Sequence, residues 1–275
     1  MDKTLFNVES FDVISATIAE IRSLRLGYIT NFFADLSRLS SWISKGDCLA
    51  ERVNNSFFII KRSDLFWNVY YCSSSLADLT DDLKIFQKKH TGQTMVFDIV
   101  GRDDQCQETM KVFQESGSKL ATKLVRMTRL LDIDTVSPDY ENSFVSYANE
   151  KDVLEIHSLL HRFFIERFEQ IPYFEELIDY SHKKQILVCK EDEKMAGFLI
   201  FDHNPSTLYL RYWFTLPEFR NRGVGSRLFH SFIEEGKGTR RQLLWVIQTN
   251  ENAIKRYKHY GFTEENMYDY IMQFN

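Results

Sequence analysis

The sequence predicts an α+β protein in two domains, 1-131 and 143-275, the second built on a mixed α/β sheet and the first a helical α+β unit. At 275 residues the chain has room for about two ordinary domains. Strand-like and helix-like runs alternate along it, and the stretch 131–142, with Pro138 and several acids, reads as the linker. Within the second domain, Thr207–Thr215 (TLYLRYWFT) is aromatic and β-branched without Gly or Pro. It leads through Pro217 and two glycines into a helical pattern at Val224, Leu228, Phe232 and Ile233.

The elements follow in order. Phe11, Ile14, Ile18 and Ile21 step at helical spacing, and Ile29, Phe32, Phe33 and Leu36 extend that pattern past Gly27, predicting helix to about Ser44. After Gly46 the character changes to strand, with 56–61 and 64–72 as a hairpin. A helix over 76–89, a strand over 95–100, a helix over 105–116 ending at Gly117, and a strand over 120–128 complete the first half. In the second, 144–147 is a short strand, and Asn149 caps a helix that turns Val153, Ile156, Leu160 and Phe164 inward. A short helix follows Pro172, and 185–189 with 195–201 form a hairpin turning at 191–194. Then come the strand Thr207–Thr215 and its helix, a strand over 241–248, a helix over 249–262 stopping at Gly261, and a last strand over 267–274.

The turn Leu216-Pro-Glu-Phe-Arg220-Asn-Arg222-Gly223-Val224-Gly225-Ser226 delivers the first N–H groups of a helix, which lack partners within it and carry the positive end of its dipole. Gly223 and Gly225 let an anion approach the backbone, and Arg220, Arg222 and Arg227 add positive charge. A pyrophosphate cradle is the reading. Walker and dinucleotide loops fit poorly, because Gly225 precedes Ser-Arg instead of Lys-Ser/Thr and Leu228 stands where a third Gly is needed. An ordinary glycine-containing turn is the plainer alternative.

Arg220-x-x-Gly223-x-Gly225 after a strand and a Pro resembles the acyl-CoA signature of the GNAT (Gcn5-related) N-acetyltransferase superfamily. The block Asn250…Tyr257…Gly261-Phe262 resembles that family's second signature, and the resemblance covers about 143–275. It implies a mixed-sheet acyltransferase domain with acetyl-CoA as co-substrate and no metal. By the same resemblance the backbone of Phe214, Thr215 and Leu216 would hold the pantetheine arm and thioester. Arg220, Arg222, Gly223, Val224, Gly225 and Ser226 would hold the diphosphate, Asn250 would lie near the pantetheine, and Tyr257 would protonate the leaving thiolate. Tyr257 as a core aromatic and Asn250 as a simple cap are the structural alternatives.

Many relatives place a Glu on the strand before the cradle, whereas residues 209–213 here (YLRYW) hold no carboxylate. The base is therefore open between a water relay, His203, Glu166 and Tyr212. That gap also admits a non-catalytic CoA-binding sensor or interaction module; a nucleotide-binding module is a third reading. The acceptor implied is a small-molecule or peptide amine, with Phe163, Phe164, Phe168, Tyr173 and Phe174 in the segment that walls the acceptor pocket in the family; core packing is the equal alternative for these aromatics.

The first half carries an echo: Met110…Phe113…Gly117-Ser118 parallels Ile254…Tyr257…Gly261-Phe262. Phe113 stands where the Tyr should be, and no Gly-x-Gly lies between Cys72 and Phe86. These residues read as a degenerate GNAT-like copy that cannot hold CoA in the usual way, with an unrelated α+β domain as the alternative. A net charge of −5 argues against nucleic-acid binding, and the absence of a long apolar run or signal core argues for a cytoplasmic protein without membrane attachment. Cys48, Cys72, Cys106 and Cys189 show no paired spacing and read as reduced thiols. His157 and His161, one helical turn apart, lack the pattern of a metal motif.

Overall fold

A computed structural model describes residues 5–33, 36–131 and 144–275. Along the chain the elements are β1 (Phe6–Asn7), α1 (Phe11–Ser23), β2 (Ile29–Thr30), α2 (Leu36–Ser44), β3 (Cys48–Val53), β4 (Ser56–Arg62), β5 (Trp67–Ser73), α3 (Leu76–Lys89), β6 (Met95–Gly101), α4 (Asp103–Glu115) and β7 (Lys119–Leu130). There follow β8 (Val145–Tyr147), α5 (Glu150–Phe163), α6 (Glu166–Glu169), α7 (Phe174–His182), β9 (Ile186–Glu191), β10 (Lys194–Asn204), β11 (Thr207–Thr215), a 3-10 turn at Pro217–Phe219, α8 (Val224–Glu235), β12 (Arg241–Ile247), α9 (Glu251–His259) and β13 (Thr263–Phe274).

The chain forms two units, Met1–Leu124 with Asn266–Asn275, and Val125–Glu265. The sequence places the division instead at a linker, and that stretch lies outside the described residues except for Leu131. The difference comes from two long strands. Residues 125–130 of β7 belong to the second unit, and the last part of β13 belongs to the first, where Tyr268 to Phe274 run antiparallel to β6.

In the first unit the strands lie in the order β1-β3-β4-β5-β6-β13, with β2 on β5, and β5 and β6 are parallel. Its core sets Phe58 against Phe86 with ring centroids 4.2 Å apart, and adds Phe97, Phe113, Leu79 and Leu83. The expected helix does not run on directly past Gly27, although helix returns as α2 over Leu36–Ser44. Arg25 and Gly27 take positive φ, which ends the helical path, and β-branched Ile29 and Thr30 pair with Ser73 and Cys72 as β2. β3 is a further strand that the sequence reading lacked; it pairs with β4 through a turn at Asn54, where φ is 42°.

The second unit orders its strands β7-β12-β11-β10-β9-β8, with β11 and β12 parallel. Asn149 caps α5 in a capping box with Asp152. The inward residues Val153, Ile156 and Leu160 form one core with Ile186, Phe198 and Tyr212. On the opposite face α8 buries Val224, Leu228, Phe229 and Phe232, and Phe232 meets Phe201 at 5.8 Å. Each such side chain contributes roughly 1.5–3 kcal/mol on burial, which holds α8 firmly on the sheet. α9 ends in a Schellman turn: Gly261 takes φ 84°, Phe262 N–H reaches Tyr257 O at 3.1 Å and Gly261 N–H reaches Lys258 O at 3.0 Å. α4 ends the same way, with Gly117 at φ 95° and Ser118 N–H on Phe113 O at 2.9 Å, so the echo between the halves is one of geometry.

All four cysteines are free and buried, and burial pushes the Cys48 thiol up to about 12 and the Cys106 thiol to about 11. No helix among the described residues is long and apolar enough to cross a membrane.

Candidate active site

β11 and β12 pair only from Thr207/Arg241 to Leu210/Leu244. Beyond Leu210, β11 keeps its partner β10 but not β12, so a slot opens at the carboxyl ends of the two parallel strands. Helices α8 and α9 start from those ends, and ligands of open α/β sheets bind in such crevices. A cavity of about 850 Å³ occupies the place.

Gly223 sits at φ 80° as the N-cap of α8, and the first bond of the helix runs from Arg227 N–H to Gly223 O at 3.0 Å. The amides of Val224, Gly225 and Ser226 precede that bond, and these three residues line the cavity. A Cβ on Gly225 would meet Thr215 Oγ1 at 3.3 Å and the Trp213 ring at 3.4 Å, so a side chain there would fill the crevice. Bare backbone at a helix start, an adjoining Arg220 and room for two phosphates fit a diphosphate.

Of the residues singled out from sequence, Phe214, Thr215, Arg220, Gly223, Val224, Gly225, Ser226, Asn250 and Tyr257 line this cavity. Two others do not. Leu216 turns to β10, its N–H donating to Ala196 O at 3.0 Å, and its side chain packs on the α5/α7 core. Arg222 is drawn to Glu191 at 3.6 Å, and Arg227 reaches the same carboxylate at 3.4 Å, so of these three arginines only Arg220 faces the cavity. The acidic turn is thus also an anchor. Asn250 accepts a bond from Ala253 N–H at 3.2 Å, and therefore caps α9 while it lines the site.

Sequence reasoning passed over Trp213, Asn221, Arg256, His259 and Tyr260 in the wall. Arg256 stands over Trp213 at 5.5 Å, and its basic neighbours in α9 were the available signal. Gly197 was also missed. A Cβ there would meet Phe214 O at 2.5 Å and Val224 at 3.1 Å, so this glycine lets β10 seat both the slot edge and the cradle.

Tyr257 is half-buried, with its ring 5.7 Å from Trp213 and 6.1 Å from Phe262. Burial pushes its phenol well above the ordinary value; Arg256 opposes this and the charge of Glu169 adds to it. The hydroxyl therefore stays protonated through the neutral range, as a proton donor must. His157 and His161 face one another at 3.3 Å through Nε2, and burial with the neighbouring imidazole lowers His157. Among the described residues no three His, Cys, Asp or Glu side chains gather as a metal site would need.

The corresponding place in the first unit is filled from within. β5 and β6 pair only at Trp67/Met95 and Asn68/Val96 and then part. The buried Asn31 side chain bridges the gap, donating to Asp98 O at 2.9 Å and accepting from Tyr71 N–H at 2.6 Å. At the start of α3, Ser75 caps Asp78 N–H, and the Asp78 carboxylate accepts from Ser75 at 2.7 Å and from Ser74. A carboxylate held there leaves no welcome for a phosphate. Phe113, the counterpart of Tyr257, is fully buried beside Phe97.

Residues 153–262 match the family model described as the Acetyltransferase (GNAT) family. Over this segment the chain carries the sequence pattern of the GNAT superfamily. Over 87 residues, 28% of the chain, it is 34% identical to an uncharacterized N-acetyltransferase of Methanocaldococcus jannaschii, covering 38% of that protein. Over 94 residues, 31% of the chain, it is 31% identical to one of Archaeoglobus fulgidus, covering 63% of it. The matches thus span less than two thirds of either relative's length. Among solved structures, a tandem GNAT protein from the clavulanic acid biosynthesis pathway superposes with a TM-score of 0.57 at 11% identity, over 82% of each chain. A GNAT protein of Sphaerobacter thermophilus gives 0.59 at 11% identity over 83% of this chain and 80% of its own. Such likenesses show the fold alone. Coverage this wide exceeds the second unit by itself, so the likeness in fold extends into the first unit as well.

Proposed function

We propose that the second unit transfers an acetyl group from acetyl-CoA to an amine. The observation that carries this reading is the meeting, in one cavity, of the first-turn amides of α8 with Gly225, the unpaired edge of β11 and the phenol of Tyr257. The diphosphate of the donor would rest on the amides of Val224, Gly225 and Ser226 with Arg220 beside it. The pantetheine would run along Phe214 and Thr215 into the slot, and Tyr257 would give its proton to the departing sulfur. When bound, acetyl-CoA supplies the thioester, which is activated toward an amine. The acceptor is a small-molecule or peptide amine, and neither nucleic acid nor membrane enters the reaction. Four buried, unpaired thiols suit the reducing cytoplasm.

The test is release of free CoA from acetyl-CoA by the full chain with a panel of tyramine, glucosamine, spermidine and a free-N-terminus tripeptide. Release dependent on at least one amine is expected. Calorimetric binding of CoA without turnover would favour a cofactor-binding module instead. No binding of CoA or acetyl-CoA would end the reading altogether.

A further inference from the structure

We infer that the carboxylate of Glu169, on α6, is the base that takes a proton from the acceptor ammonium. The inference rests on the acetyl-transfer reading above, and it begins from the two faces of β11. Trp213 points to α8 and α9, meeting Phe229 at 4.8 Å, whereas Tyr212 and Phe214 point to the other side, where Phe164 meets Tyr212 at 5.2 Å and Phe163 meets Phe214 at 4.7 Å. The diphosphate cradle lies on the first face. Beyond Leu210, β11 has no pairing to β12, so the sheet between the two faces is unpaired there.

Glu169 stands on the second face, fixed to the slot-side strand. The Tyr212 hydroxyl donates to Glu169 O at 2.6 Å and to Gln170 O at 3.1 Å, and Gln170 closes α6 in the left-handed region at φ 46°. The side chain bends back so that Oε2 accepts Ile165 N–H at 2.7 Å. Its charge reaches Tyr257, the proposed donor to sulfur. Burial raises the carboxyl of Glu169 above the ordinary range, which suits a group that must gain a proton near neutrality.

Several other candidates are committed elsewhere or stand far from the slot. Tyr212 donates its proton to two carbonyls and is no base. His203 pairs with Leu208, six residues of extended chain from Phe214, or roughly 20 Å. Asp202 is bound by Arg211 and Tyr180 at 2.6 Å each, and Asp152 by Lys190 at 2.7 Å. Glu176 caps α7 through Tyr173 N–H at 2.7 Å.

The protons balance. Glu169 takes one from R–NH3⁺; the amine nitrogen bonds to the acetyl carbon as the C–S bond breaks, and the thiolate takes the Tyr257 proton. The nitrogen then gives up a second proton, which restores the phenol through solvent. Glu169 sheds its proton to water, so the products are amide, thiol and one H⁺.

Glu169→Gln removes the basicity but keeps an oxygen for Ile165 N–H, which separates catalysis from capping. With the most active alkylamine of the panel, kcat/KM at pH 7 is expected to fall by about a hundredfold or more. It should recover toward wild type as pH approaches the amine's own pKa, and CoA affinity should be unchanged. A carboxyl whose folded pKa is raised costs stability once pH exceeds its unfolded value, so the variant should melt no lower than wild type at pH 7. If wild type acetylates the amine and Glu169→Gln matches it with the same pH profile, the assignment is overturned while acetyl transfer stands. A fall that does not recover with pH, or that comes with lost CoA affinity or a lower Tm, marks a structural role and overturns it too. If wild type itself turns over no amine, acetyl transfer has failed first.

Discussion

Replacing Gly225 by Val is expected to weaken CoA binding by about a hundredfold or more in a protein that remains folded. Position 225 is the second residue of α8, and its would-be Cβ lies 3.3 Å from Thr215 Oγ1, 3.4 Å from Trp213 and 3.6 Å from Arg256. Two further methyl groups would stand in the crevice over the amides. Hydrogen bonds to a charged group contribute about 1.5–3 kcal/mol each, so losing two corresponds to roughly two to four decades in Kd. Helix propensity works the other way, since Gly is the poorer helix former by a few tenths of a kcal/mol, so α8 itself should not unwind. Titration calorimetry with CoA, beside a thermal melt of the same variant, checks both halves of this expectation.

Tyr257→Phe should lower kcat by about a hundredfold while CoA affinity changes less than about twofold. Only the hydroxyl is removed. The ring contacts with Trp213 and Phe262 remain, and the carbonyl of Tyr257 keeps its bond from Phe262 N–H at 3.1 Å. Because burial raises the phenol far above its ordinary value, wild type should show no alkaline loss of kcat from this group below pH 10. Steady-state kinetics across pH with the active amine, paired with calorimetry, measures the split. A parallel loss of CoA affinity would make Tyr257 a packing residue instead.

The parts of the site that the sequence announces are those whose signals are local. Gly223 and Gly261 take positive φ at helix ends, and the apolar spacing of α8 and the Asn cap of α9 each act within a turn of chain. These signals mark the start of α8 and the place of Tyr257 along the chain. What stayed hidden depends on partners far along the chain. Ile29 and Thr30 sit in a helix-like pattern, yet β5 recruits them as a strand, and Asn31 beside them fills the first unit's slot. Arg222 pairs with Glu191, 31 residues earlier in the chain. Leu216 N–H is taken by Ala196 O, where Gly197 lets β10 come close. Glu169 lies in a one-turn helix without periodicity, and its place is set by Tyr212, on a strand dozens of residues later. The passage of β13 into the first unit is likewise a matter of pairing with β6, which no local pattern encodes.

The most direct measurement compares the affinities of CoA and pantetheine for the full chain by calorimetry, since the two ligands share the thiol arm and only CoA carries the diphosphate. If the bare amides of Val224, Gly225 and Ser226 grip that diphosphate, CoA should bind at least about a hundredfold more tightly, and the advantage should shrink as salt is raised. Equal affinities for the two would contradict the account.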